Sequence, residues 1–259
     1  VAKSIITKFS LLFYFLKKDI KSRYAGSGLG MVWTFLMPLI QIVLFWFVFS
    51  AIMKSRPYAT THLPYIYFLL STFFFWLAFS EGLSRAANAI LENAEMVKKV
   101  SFPNIVLPVA VTLSCYIHNM VGFILFIIVY FFSTSFSLTI VYILPVLFLQ
   151  LLFSLGLGML FSALIPYVRD IGQILGQILQ GLFFLSPIIY SIESVPKKFS
   201  IIFYFNPITY FASSYHKIIL LKEMPSLLYI VILLFLSIGS FIFGYFAFKR
   251  LREGFSDVL

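Results

Sequence analysis

Apolar positions along this chain follow two different patterns. In the first, Ile5, Phe9, Leu12, Phe13, Leu16 and Ile20 recur at helical spacing within an arc of about 100°, and Lys3, Lys17, Lys18 and Lys21 lie on the other side. This predicts an amphipathic helix over residues 1–24, lying on a membrane surface or packed on the protein itself. In the second pattern the polar face disappears. Runs at 31–52, 64–79, 104–132, 141–165, 171–190 and 226–248 are apolar all round and come close to the ~20 residues that cross a hydrocarbon core. The chain therefore reads as one all-α integral membrane domain with six transmembrane helices and both termini on one side.

Two connections are longer than turns. Residues 81–100, EGLSRAANAILENAEMVKKV, predict a separate cytoplasmic helix that stops ahead of Pro103, with Glu95 and Lys99 at the favourable i,i+4 spacing. Residues 191–225 hold the apolar stretches FSIIFYF and ITYFASSY on either side of Asn206-Pro207. Neither stretch is long enough to cross, so the outer connection reads as two short re-entrant or interfacial helices.

Composition makes the membrane reading firm. Of 259 residues, 61% are hydrophobic, 20% aromatic and 11% charged, whereas a soluble globule carries about twice that share of charge. The net charge of +10 would suggest nucleic acid for a soluble domain, but here it sets topology. With the termini in the cytoplasm, thirteen Lys and Arg lie inside and six outside, the latter including Lys54 and Arg56. The N-terminal residues are interrupted by charges and lack a small-residue cleavage site, so they are not expected to be a signal peptide. The single Cys115 provides no disulfide framework.

Candidate chemistry is sparse. The stretch GSGLG at 26–30 is glycine-rich, yet a charged helical pattern precedes it and a span follows, not the strand and helix that a phosphate cradle requires. No G-x-x-x-x-G-K-[ST] occurs, so ATP and magnesium are expected on a partner chain and no cofactor on this one. His62, His118 and His216 lie too far apart to suggest a metal site, and no G-x-S-x-G is present. His118, beside Asn119 at membrane depth, reads as an interhelical hydrogen bond or a proton relay. Gln173, Gln177 and Gln180 share one helix face with Gly172 and Gly176 alongside. That face either packs on another helix or offers amides to a hydroxyl-rich cargo in a wet pore. Among many aromatics, Trp33, Trp46 and Tyr65 are candidates for lining such a path.

Asp19, Lys21, Arg23-Tyr24, Ser27, Leu29-Gly30, Trp33 and Pro38 together resemble a D-x-K-x-R-Y…S-x-L-G-x-x-W…P signature. It is that of the membrane subunits of ABC-2 type polysaccharide exporters. Further along, Lys99, Phe102-Pro103 and Pro108 are similar to that family's K-x-x-F-P…P, and Arg169-Asp170 to its R-D. Ser186-Pro187-Ile188, Tyr190, Pro196 and Asn206-Pro207 resemble its S-P-I-x-Y…P…N-P segment. The likeness covers essentially the whole chain and is greatest to the O-antigen export permeases. It implies a homodimer with two copies of an ABC ATP-binding subunit, exporting a polyprenyl-diphosphate-linked glycan across the bacterial inner membrane. No nucleic acid is implied, and membrane lipids are the surrounding partners.

The same resemblance makes the glycine loop a hinge beside the ATPase, with Arg23, Tyr24 and Gly30 as coupling residues. Glu81, Arg85, Glu92, Glu95, Lys98 and Lys99 on the cytoplasmic helix, and Arg169 and Asp170, are the other coupling candidates. Pro187, Tyr190, Phe199, Phe203, Phe205, Asn206 and Pro207 are the candidates for an outer gate. Two alternatives stay open: an ABC-2 efflux permease for drugs or lipids, and a membrane-embedded glycosyl or acyl transferase.

Overall fold

The computed structural model describes residues 2–52, 63–134 and 137–259, and these are helical with turns between the helices. Lys54, Arg56 and His62 lie outside the described residues. Helix α1 (Ala2–Ser22) precedes α2 (Trp33–Phe45), which widens into a looser helical turn over Trp46–Ile52. Then come α3 (Tyr65–Glu92), α4 (Ala94–Lys99), α5 (Val106–Ser133), α6 (Ile143–Leu164), α7 (Asp170–Phe184), α8 (Ser200–Phe205), α9 (Pro207–His216), α10 (Leu227–Leu251) and α11 (Phe255–Val258).

Helix α3 is the axis of the bundle. In its most apolar window 78% of residues are buried, against 6% for the segment Gly30–Ile52, so α2 is attached at the periphery. Buried rings of α3 pack on its neighbours, Phe74 and Phe75 against Gly122 and Phe123 of α5 and Phe79 against Phe153 of α6. Helices α6 and α10 approach closely around Gly156 and Gly244, where a Cβ on Gly156 would overlap the backbone of Ser240 and Phe241 and one on Gly244 would overlap the backbone of Gly156. Small residues permit such contact where lipid supplies no hydrophobic drive between helices.

A second apolar cluster joins one end of the bundle: Phe15 of α1, Ile90 of α3, Val106 of α5, Met159 of α6, Phe248 of α10 and Phe255 of α11. Helices α1, α10 and α11 therefore meet at this end of the bundle. The N-terminal helix uses Leu11, Leu12, Phe15 and Leu16 against this cluster, with Phe9 and Phe13 left exposed. Its apolar face thus serves both readings, packing on the protein through one edge and offering the other to its surroundings.

Among the described residues, five helices are long and apolar enough to cross a membrane. The fifth expected span, 171–190, is the exception: α7 has 15 residues and ends at Phe184, three residues ahead of Pro187. The expected cytoplasmic helix over 81–100 is also redrawn, because α3 continues unbroken through Glu81 and Arg85 to Glu92. Nothing between Ser80 and Glu92 interrupts the helical hydrogen bonds; the break comes at Asn93, whose amide donates to the Ala89 carbonyl. Only the six residues of α4 form a separate element.

Candidate functional site

Three i,i+4 pairs converge where α1 ends. Residues four apart share a helix face, and here Asp19 of α1 and Arg23 in the turn just after it, Glu81 and Arg85 of α3, and Cys115 and Asn119 of α5 turn toward one another. Arg23 Nη1 donates to Glu81 Oε1 at 2.6 Å, and its Nε stands 3.8 Å from Asp19 Oδ2. Arg85 grips Asp19 with both arms, at 2.7 and 3.1 Å. Asn119 Nδ2 donates to the second Glu81 oxygen at 2.8 Å, and Cys115 Sγ accepts from Arg23 at 3.0 Å.

The joint is a two-by-two balance of charge. Side chains are 11% exposed for Arg23, 14% for Asp19, 31% for Glu81 and 34% for Arg85. Charges so far out of water persist only when paired and hydrogen-bonded. Glu81 and Arg85, expected on a partner-facing helix, are instead turned inward to hold α1. Tyr24 completes the contact: its hydroxyl lies 3.4 Å from His118 Nε2. Burial raises the Tyr24 pKa, against an opposing pull from Arg23, so it carries a neutral hydroxyl. His118 of α5 thus meets the turn that follows α1.

The glycine stretch after α1 is a tight turn. Gly26 has φ 82° and Gly30 φ 49°, and the Gly30 N–H donates to Ser27 Oγ at 3.0 Å. Open space surrounds both glycines, so it is the sign of φ that requires them, not a close approach.

The remaining coupling candidates face outward. Glu92, Glu95, Lys98 and Lys99 are exposed at the end of α3 and along α4, with Lys99 Nζ 2.6 Å from Glu95 Oε2 as the spacing predicts. Arg169 and Asp170 are exposed at the α6–α7 turn. Tyr167 in that turn donates to the Leu251 carbonyl at 2.7 Å, tying it to the end of α10. Helix α11 in turn touches α4, so these exposed charges lie on one end of the bundle.

Residues proposed for a cargo path do not meet within one chain. Gln173, Gln177 and Gln180 are exposed along α7, while Leu175 and Leu179 on its opposite face are buried. A side chain at Gly172 would only touch Asn88 of α3, and Gly176 has open space beside it, so among the described residues no helix packs closely on the Gly172–Gly176 pair. Trp33 is half-buried and Trp46 exposed on α2. Tyr65 is elsewhere: its hydroxyl donates to the Ile189 carbonyl, which fastens the start of α3 to the segment after α7.

At the end opposite the charged joint, Asn206 organises the outer connection. Its Nδ2 donates to the Leu185 carbonyl at 2.9 Å and to Ser186 Oγ at 2.8 Å, while its Oδ1 accepts from the Ile208 N–H at 3.0 Å. One side chain therefore caps α9, with Pro207 at the first helical position, and also joins the Ser186-Pro187 and Asn206-Pro207 motifs. The segments on its two sides differ. Phe199 and Phe205 are exposed, and Phe203 is buried edge-on to Tyr190 with ring centroids 6.0 Å apart. Tyr190 donates to the Phe184 carbonyl.

Beyond Asn206, α9 enters the core. Tyr215 donates to Gln150 Oε1 at 2.6 Å and stacks on Phe75 at 3.8 Å; His216 stacks on Phe68 at 4.0 Å. The outer connection, expected over 191–225 with gate candidates from Pro187 to Pro207, is thus two parts, a surface arch and an anchored helix. Apolar content alone did not distinguish them, whereas the polar Tyr215-His216 pair within an apolar stretch was a usable signal of anchoring.

Residues 10–220 match the ABC-2 type transporter family. Over 254 residues the chain is 27% identical to the O-antigen export system permease protein RfbA of Klebsiella pneumoniae, covering 97% of this chain and 95% of that one. It is also 27% identical, over 218 residues, to the protein of the same name from Myxococcus xanthus, covering 83% of this chain and 82% of the relative. The family match runs from the middle of α1 through the charged joint, the α7 face and the Asn206 cap to residue 220, just past α9. On that extent, the chain belongs to the ABC-2 type transporter family.

Proposed function

We propose that this chain is the transmembrane subunit of an ATP-driven exporter that moves a lipid-linked polysaccharide of the O-antigen, capsule or teichoic acid type across the bacterial inner membrane. The observation that carries this reading is the end-to-end likeness to O-antigen export permeases, which runs over 95% of the relative's length. Family membership makes it a transport subunit and removes the transferase alternative. ATP and magnesium bind a separate subunit, present in two copies, against the exposed charges of α4 and the α6–α7 turn.

A second copy of the chain completes the path. The amide face of α7 and nearly all of α2 are uncovered in one protomer. Apposing these faces across a two-fold axis places Gln173, Gln177 and Gln180 on an inner wall, where amides exchange hydrogen bonds with sugar hydroxyls. Helix α7 rises about 22 Å, and residues 185–190 complete a sixth crossing of the roughly 30 Å core. The termini lie in the cytoplasm.

Helix α3 links the two ends mechanically. From Arg85 in the charged joint to Tyr65 at the outer connection is about 30 Å of continuous helix. A displacement of α1 by the ATP-binding subunit is passed through Glu81 and Arg85 into α3. At the far end it reaches Ile189 through Tyr65. Because α9 is anchored on Gln150 and Phe75, the surface arch of residues 187–205 is the part that parts for the glycan, with Asn206 as its hinge.

Inside-out vesicles holding the chain and its ATP-binding subunit test this function. ATP-dependent uptake of a polyprenyl-diphosphate glycan is the expected result. ATP-dependent movement of drugs or phospholipids with no glycan uptake would replace it with the efflux reading.

A further inference from the structure

A groove of about 520 Å³ opens between α1, the start of α5, the end of α6 and the end of α10, and no residue of α2 or α7 lines it. Its walls are apolar: Leu12, Val109, Met159 and Phe241 represent the four helices. Two cations, Lys249 and Arg252, stand at its α10 edge, three residues apart and both exposed. No carboxylate lines the groove, and among the described residues none forms an ion pair with either cation. Glu253, next to Arg252 in sequence, is off the wall.

This is an amphipathic vessel at the end of a membrane-crossing helix. Its interior gains nothing from water and gains free energy from hydrocarbon in proportion to the apolar area covered. Its edge attracts negative charge where α10 leaves the bilayer, as basic groups beside a membrane surface do. A second copy of the chain is a poor occupant, since a two-fold contact here would set the same cations against each other.

We propose that the groove holds one anionic phospholipid of the bilayer, an acyl chain against Leu12, Val109, Met159 and Phe241 and its phosphate between Lys249 and Arg252. The lipid fills the seam between α1 and α10 and so fastens α1 beside the charged joint. This site is distinct from the cargo path above and does not rest on the export reading.

Native mass spectrometry of the full chain in detergent, titrated with phosphatidylglycerol or phosphatidylcholine, tests it. Wild type retains one phosphatidylglycerol in clear preference to phosphatidylcholine. With each cation near the surface worth about fivefold, the Lys249→Gln, Arg252→Gln double variant loses roughly 30-fold of that preference. Arg250→Gln, on the same helix but off the groove wall, keeps it. Val109→Phe, which narrows the groove without touching the cations, weakens both lipids. Equal retention of the two lipids by wild type, an unchanged preference in the double variant, or an equal loss in Arg250→Gln overturns the site. Stoichiometric displacement of phosphatidylglycerol by a polyprenyl phosphate overturns it too, by giving the groove to cargo. These readouts need no transport, so they fail or succeed apart from the proposed export.

Discussion

Arg23 is the most informative residue to perturb, because its contact with Glu81 is the shorter and more buried of the two charged contacts that tie the end of α1 to α3, the other being Asp19 with Arg85 at 2.7 Å. Arg23→Met keeps much of the aliphatic stem and removes the guanidinium that lies 2.6 Å from Glu81 Oε1. Breaking a fully buried ion pair costs about 3–5 kcal/mol, whereas an exposed pair contributes about 0.2–1 kcal/mol. With Arg23 at 11% exposure and Glu81 at 31%, the loss falls between these limits, at about 2 kcal/mol. In thermal unfolding of the detergent-solubilised chain that is a fall in Tm of about 4–8 °C. Glu81→Gln leaves Arg23 with Asp19 at 3.8 Å and costs less.

The double variant decides whether the contact itself is being measured. If the pair acts as the geometry indicates, the two losses overlap and fall short of additivity by about 1 kcal/mol or more. Stimulation of the ATP-binding subunit by the chain should fall in parallel, since α1 would then be tied to α3 through the Asp19–Arg85 contact alone. Losses that add to within about 0.3–0.5 kcal/mol, or an Arg23→Met chain that unfolds with wild type, would refute the reasoning.

Other substitutions follow from particular contacts. Gly26→Ala and Gly30→Ala should each cost about 1–2 kcal/mol, since both force a side chain into left-handed backbone; thermal melts showing that only one matters would place the strain elsewhere. Replacing Gln173, Gln177 and Gln180 together with Leu should leave the melting of the single chain within about 0.5 kcal/mol of wild type while reducing glycan transport; loss of dimer on size exclusion, with the glycan still moved by what dimer remains, would make the amides packing groups. Asn206→Ala removes a helix cap worth about 1 kcal/mol and should expose residues 187–205 to limited proteolysis; unchanged cleavage would count against Asn206 as the hinge. Gly244→Val should cost about 1–3 kcal/mol through overpacking against Gly156, read as a lower Tm with insertion intact.

Much of this architecture could be read from local pattern alone. A run of twenty apolar residues has few options besides crossing a bilayer or lining a core, so helix positions 104–132, 141–165 and 226–248 fell within three residues of α5, α6 and α10. The Glu95–Lys99 pair and the Asn206-Pro207 break were equally local, the first a matter of helical spacing and the second of a proline's missing donor. Family resemblance was legible for the same reason, since its signatures are short ordered strings.

The charged joint was not legible. Glu81 and Arg85 begin the polar stretch after the second apolar run, and polarity there reads as an exit from the membrane and a new helix for a partner. What determines their direction is Arg23, 58 residues from Glu81, and Asp19, 66 residues from Arg85. Once those opposite charges are in place, the helix need not end and the side chains need not face water. The same holds for α9, whose apolar stretch looked like a lid until Gln150, 65 residues from Tyr215, was found bonded to it. Hydrophobic length is a property of neighbours in sequence and declares itself there, while the cost of burying a polar group depends on which distant group meets it, and only the folded chain brings the two together.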